Sequence, residues 1–340
     1  MSAIIRRRRD RTALAGLVLA GILVTTLVAV GTFWPEARKP EFAIDLFGQV
    51  HGSITFREGS QIVTVDPADP STRISLGAAD GADPIGWSKD GTRLLLHKRL
   101  DAGPQGIRRD LYVMHSDGSQ TQLTHDGTWG FDGSFSPDGA MVVYDIFDRG
   151  LYVVDAGGGT NRLLVADDPQ RSRWLESPAW SPDGSRIAFA EYLEVLGKYA
   201  IWIVNVDGSG ERKLVDLGTC LGGGCTSGLT WAPDGSRLAF VSARGTPGFN
   251  VVPASQIYVV RADGSQLRQI TTQSSVVMPA NANQIESVQI GRPTWSPDGS
   301  RLAFARDGSL FTLAANGGDE RRLEGISVLQ PAPIAWNPVR

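Results

Sequence analysis

Three features of the sequence predict an all-β fold, a six-bladed β-propeller of four-stranded antiparallel blades: a turn motif present five times, a strand pattern that travels with it, and one repeat unit divided between the two ends of the chain. The motif reads Trp-Ser-Lys-Asp-Gly at 87–91, Phe-Ser-Pro-Asp-Gly at 135–139 and Trp-Ser-Pro-Asp-Gly at 180–184. It returns as Trp-Ala-Pro-Asp-Gly at 231–235 and Trp-Ser-Pro-Asp-Gly at 295–299, so successive copies are 48, 45, 51 and 64 residues apart. Proline pre-sets φ at the first central turn position, aspartate tolerates the second, and glycine takes the left-handed site. Each copy is therefore a tight hairpin between two apolar strands.

The strands on either side complete a unit. Four of the five turns run into Arg plus a short apolar stretch, as in Arg186-Ile187-Ala188-Phe189 and Arg301-Leu302-Ala303-Phe304; the exception is Met141-Val142-Val143-Tyr144. A third strand follows, such as Ile201-Trp202-Ile203-Val204 before Asp207-Gly208, and then a fourth, such as Arg268-Gln269-Ile270-Thr271. Four antiparallel strands in about 40–50 residues make one propeller blade. This pattern resembles the TolB-type propeller repeat, also called the WD40-like Pro-Asp repeat, over roughly residues 51–340. The resemblance is specific for fold and weakly specific for function. TolB carries a separate α/β domain ahead of its propeller that has no counterpart in this sequence, so that protein's partner contacts are not carried over.

The ends of the chain set the blade number. Gly52-Ser53-Ile54-Thr55-Phe56 and Ile62-Val63-Thr64-Val65 read as second and third strands without a first, and Ile334-Ala335-Trp336-Asn337-Pro338 is a first strand without successors. Joined, they make a sixth blade, so the ring is closed by N- and C-terminal strands, which pairs edges otherwise left open.

Ahead of the propeller, a basic segment at 1–11 with Arg6, Arg7, Arg8, Arg9 and Arg11 precedes an uncharged run at 12–34. In a helix that run spans roughly 34 Å, enough for one transmembrane helix. The basic cluster places the N-terminus in the cytoplasm and the propeller outside it, at the cell membrane, after a linker at 35–50. A cleaved signal peptide is the other reading, with Ala29 and Gly31 before the cut and a secreted or periplasmic product. The long apolar run favours the anchor.

Composition narrows the task. The net charge of −3 is no footprint for nucleic acid. Strand parity puts the short Asp-Gly turns on one face of the ring and nearly every long connection on the other, and binding residues concentrate on such loops. The candidate binding residues are Trp129, Asp132, Arg173, Trp174, Glu176 and Arg292. Trp129 and Trp174 stand outside the repeat positions, where an aromatic beside charges suits a protein hot spot or a sugar ring; covering a blade edge is the plainer role. Trp87, Trp180, Trp231, Trp295 and Trp336 sit in the repeat and are expected between blades. Asp90, Asp138, Asp183, Asp234 and Asp298 are turn residues by their chemistry, so no metal site is assigned. Cys220 and Cys225, the only cysteines, fit a disulfide pinning one loop of an exported domain.

Motifs of the common enzyme classes are missing: there is no Gly-x-Ser-x-Gly, no His-Glu-x-x-His, no phosphate-binding loop and no dinucleotide fingerprint. The four histidines, His51, His97, His115 and His125, form no cluster in sequence. The expectation is a cofactor-free module that binds a protein or glycan of the cell envelope. The alternative is an extracytoplasmic carbohydrate-active enzyme, a lyase or hydrolase, with its site at the channel mouth. The resemblance bears on this second reading, since some TolB-like propellers are sugar lyases that use histidine-rich metal sites.

Overall fold

The computed structural model describes residues 45–100, 108–125, 132–219, 226–243, 251–252, 255–272, 276–277, 290–328 and 333–339. The helix expected at 12–34, Trp129 and the Cys220–Cys225 pair lie outside these residues. Among the described residues no helix is long and apolar enough to cross a membrane.

Six four-stranded antiparallel sheets form the propeller. Blade 1 is the divided one: Ala335–Trp336 pairs with Ile54–Glu58, followed by Gln61–Asp66 and Asp69–Ala78. Trp336 and Ala335 sit opposite Ile54 and Thr55, and Trp336 Nε1 donates to Gly52 O at 2.7 Å. Blade 2 comprises Ala82–Trp87, Arg93–Arg99, Arg109–His115 and Gln120–Gln122. The first strands of blades 3 to 6 are Gly133–Phe135, Arg173–Trp180, Thr226–Trp231 and Thr294–Trp295.

The predicted turns form as their residues dictate. Gly91 donates to Ser88 O at 2.9 Å with φ at +69°, and the Ser88 hydroxyl donates to Asp90 at 2.6 Å. The same serine–aspartate bond recurs at Ser136–Asp138, Ser181–Asp183 and Ser296–Asp298. These bonds hold the Asp183 carboxyl at about 2, with the Ser181 hydroxyl the leading cause. The repeat aspartates are consumed by their own turns.

Packing explains the Arg-[Ile/Leu]-Ala-Phe sequence. Successive side chains of a strand point to opposite faces, and in a propeller each face meets a different blade. Ile187 and Phe189 therefore pack toward blade 3, and Ala188 packs toward blade 5. Leu238 and Phe240 face blade 4 while Ala239 faces blade 6. The alanine leaves room for the tryptophan of the next blade: Trp231 shares a cluster with Ala188, Trp295 with Ala239, and Trp336 with Ala303. Where the next blade offers the smaller Phe135, the alanine position holds Leu95. Ring volume and partner volume compensate, as close packing requires.

The repeat arginine completes the joint. Arg93 lies over the Phe135 ring at 5.8 Å, Arg186 over Trp231 at 5.5 Å and Arg237 over Trp295 at 5.0 Å. Trp231 and Trp295 also donate their indole N–H to the preceding blade, at Ala179 O and Thr230 O. Blade 1 has no such arginine, and Phe47 meets Trp87 edge-on instead, 4.7 Å between centroids. The polypeptide thus enters the propeller on the turn-bearing face, where Leu46 N donates to Ser116 O.

Candidate functional site

The first strands line a central channel, and a cavity of about 350 Å³ runs along it. All six blades contribute the repeat aromatic and the turn residue two places beyond it. At the turn-bearing end those turn residues form a ring of Lys89, Pro137, Pro182, Pro233, Pro297 and Pro338. Below the ring lie the edges of Trp87, Phe135, Trp180, Trp231, Trp295 and Trp336. Three hydroxyls of the wall are already engaged: Ser134 accepts from Trp180 N, Ser136 donates to Asp138, and Thr294 accepts from Trp336 N.

Toward the loop-rich end a polar brace crosses the channel. It is built at one repeat position, three residues before the aromatic: Asp132, Ser177, Gly228 and Arg292 in blades 3 to 6. Arg292 Nη1 donates to Asp132 Oδ1 at 3.0 Å and to Gly133 O at 3.3 Å, and Nη2 donates to Leu229 O at 3.3 Å. Ser177 Oγ donates to Asp132 Oδ2 at 2.7 Å and accepts from Gly228 N at 3.1 Å. Blades 3 and 6 are opposite in a six-fold ring, so the ion pair ties the two sides together. Strand irregularities aim these groups: the pairing shifts register between Glu176 and Ala179, where Ser177 has φ of +54°. Gly228 is needed, because a Cβ there would stand 2.8 Å from Arg292 Cγ. Burial alone would raise the Asp132 pKa, yet the Arg292 guanidinium and the Ser177 hydroxyl hold it below the usual range.

Glu176 and Asp167 lie beside this brace. Burial, followed by the charges of Asp145, Asp132 and Asp167, pushes Glu176 up to about 8. Asp167 is pushed up to about 6, chiefly by burial, although it accepts from Leu175 N at 2.9 Å. Glu176 Oε1 and Asp167 Oδ2 are shut off from solvent. Carboxylates therefore do cluster at the loop-rich end. Among the described residues, however, no group of three or more His, Cys, Asp or Glu side chains could hold a metal ion. His97 stands 3.3 Å from Asp83, which Arg57 also engages at 2.5 Å.

The sequence-predicted residues thus divide. Asp132 and Arg292 meet directly, and Glu176 is their neighbour. Arg173 is used within blade 4, where it donates to Glu191 at 2.5 Å, pairs with Glu211 and lies over the Trp202 ring. Trp174 is on the loop-rich face, stacked on Phe147 at 5.2 Å with its indole N–H on Glu194. Ser177, Gly228 and Lys89 were not singled out by sequence reasoning. The signal was present, as a shared offset from the repeat aromatic and as the one lysine in a row of turn prolines.

The fold and channel define a class: a closed six-bladed propeller built from Pro-Asp turns around a central channel. Its relatives narrow the class further. The chain is 30% identical over 211 residues to the Tol-Pal system protein TolB of Anaeromyxobacter dehalogenans, covering 56% of this chain and 44% of that protein. It is 29% identical over 195 residues to the protein Atu1656 of Agrobacterium fabrum, covering 54% of this chain and 56% of that one. The chain thus spans about half the length of these curated relatives. A solved structure from Agrobacterium tumefaciens, provisionally assigned as TolB, superposes with a TM-score of 0.55 at 22% identity, over 80% of this chain and 87% of the other. No family model matches. The chain thus folds as a six-bladed β-propeller and is similar in sequence to TolB proteins.

Proposed function

We propose that this chain is a binding module of the cell envelope, held at the membrane by residues 12–34, and that a partner protein inserts a short segment into the central channel from the turn-bearing face. The observation that carries this reading is the cavity of about 350 Å³ rimmed by five prolines and walled by six aromatic edges. That volume is at the lower end of ordinary ligand pockets. It suits one or two side chains of an inserted segment. The proline and aromatic lining suits an apolar side chain better than the many hydroxyls of a glycan, which favours protein. The name of the TolB relatives, taken from the Tol-Pal system, supports an envelope setting.

The carboxylate cluster bears on the enzyme alternative. Asp132, Asp145, Asp167 and Glu176 do not line the cavity, and Arg292 stands between Asp132 and the ligand space. That placement supports a structural role for them and a binding role for the channel.

Gly86 provides the test. It lines the channel, and a Cβ built there meets nothing within 4 Å. Gly86→Phe should fill the channel at little cost to stability. Affinity capture from solubilised envelopes is expected to lose the partner with this variant, at an unchanged melting temperature. Equal capture would reject the channel as the site.

A second reading places a contact on the loop-rich face. There Trp174 stacks on Phe147, which is 53% exposed, and Val195 in the neighbouring turn is 79% exposed. Capture that fails with a Phe147→Ala/Trp174→Ala double variant and persists with Gly86→Phe would favour this face.

A further inference from the structure

Five of the six residues at the channel rim are proline; the sixth is Lys89. Resting on the channel reading above, we propose that Lys89 sets the ligand class: the channel takes a peptide segment in which a carboxylate, from an acidic side chain or a C-terminus, sits beside an apolar side chain directed at the tryptophan edges.

The charges around the rim isolate this lysine. Lys89 is exposed, and among the described residues no ion pair within 4.0 Å engages it. Its neighbour Asp90 is turned into its own hairpin, accepting from Ser88 Oγ at 2.6 Å and Thr92 N at 3.1 Å. Asp183 and Asp234 border a hollow of about 400 Å³ that Lys89 also borders, but they too serve their own turns. Of the repeat arginines, Arg93, Arg186 and Arg237 lie on the aromatic of the next blade and none lines the cavity, although Arg186 borders the same hollow as Lys89 and pairs there with Asp183. Arg292, the other cation of the lining, is neutralised by Asp132. Lys89 is thus an ammonium at the mouth of an apolar funnel, with no ion pair within 4.0 Å among the described residues. Proline would serve the turn better, since it pre-sets φ at this position. A lysine there gives up that preference and places a positive charge at the rim.

A random twelve-residue peptide display library, selected on the full-length chain, tests this. Peptides recovered by the wild-type chain and lost on Gly86→Phe define channel ligands. They are expected to carry an acidic residue or the free C-terminus at one fixed distance from an apolar residue. Lys89→Met should weaken such peptides about fivefold, in line with a partly exposed ion pair. Lys89→Glu should recover basic peptides in their place. Channel ligands with no acidic preference, or equal affinity for wild type and Lys89→Met, would overturn the role of Lys89 and leave the channel reading standing. Identical recovery by wild type and Gly86→Phe would overturn both.

Discussion

Replacing Arg292 tests whether the brace across the channel holds the ring together. Its side chain is 11% exposed and that of Asp132 is 22% exposed, so the pair is an interior one. Arg292→Ala removes three hydrogen bonds and leaves the Asp132 carboxylate buried beside Glu176 and Asp145 without its cation. Breaking one partner of a buried pair costs about 3–5 kcal/mol, against about 0–1 kcal/mol for an exposed one. At roughly 2–4 °C per kcal/mol for a large domain, the melting temperature should fall on the order of 10 °C. Arg171, 82% exposed beside Asp168, is the matched control, and Arg171→Ala should move stability by less than about 1 kcal/mol. The assay is urea unfolding of Arg292→Ala, Asp132→Asn and the Arg292→Met/Asp132→Asn double variant. The double variant should lose clearly less than the sum of the single ones, since it strands no charge. Additive losses below about 1 kcal/mol each would refute the brace. The Asp132 pKa is depressed in the fold, so its contribution is present above the ordinary carboxyl value of 3.8. It is lost as pH falls through the lower folded value.

Glu176 gives the opposite sign. Its carboxyl rises from 4.5 to about 8 in the fold, so the folded chain keeps a proton that the unfolded chain releases, and stability should decline as pH climbs from about 4.5 to about 8. Glu176→Gln should flatten that decline in a series of thermal melts, leaving the smaller slope of Asp167 between about 4 and about 6. Leu95→Ala should cost about 2–5 kcal/mol by opening a cavity beside Phe135. Adding Phe135→Trp recreates the Ala–Trp pair of three other joints and should recover a substantial part; a double variant as weak as the sum would contradict the volume argument. Deleting 333–340 removes the first strand of blade 1, with buried Ile334, Ala335 and Trp336. The truncated chain should aggregate or lose cooperative unfolding, and an unchanged melting temperature would count against closure by the two ends.

Blade number, strand order and turn chemistry were legible because they are local and repeated. Pro-Asp-Gly dictates its hairpin wherever it stands, and the alternation in Arg-[Ile/Leu]-Ala-Phe is a two-residue period. The unpaired strand signals near Ile54 and Trp336 were enough to close the ring. Asp132, Arg292 and Glu176 were legible as charges near the repeats, but their partnership was not. Some 160 residues separate Asp132 from Arg292, and only the circular arrangement sets blade 3 opposite blade 6. Loop length marked the irregular side, where Trp174 stacks on Phe147, whereas the ring of prolines gives the turn-bearing side its cavity.

By itself, then, the sequence determined the blade: its strands, its tight turns and the place of each aromatic, all set by dihedral preference and period within a few dozen residues. Tertiary structure alone decided what the ring does with them. It paired Ala188 with Trp231 and Leu95 with Phe135 by volume, turned Arg292 onto Asp132, and gathered Lys89 and the five turn prolines into one rim. Those outcomes depend on distances across the ring, which no local pattern encodes.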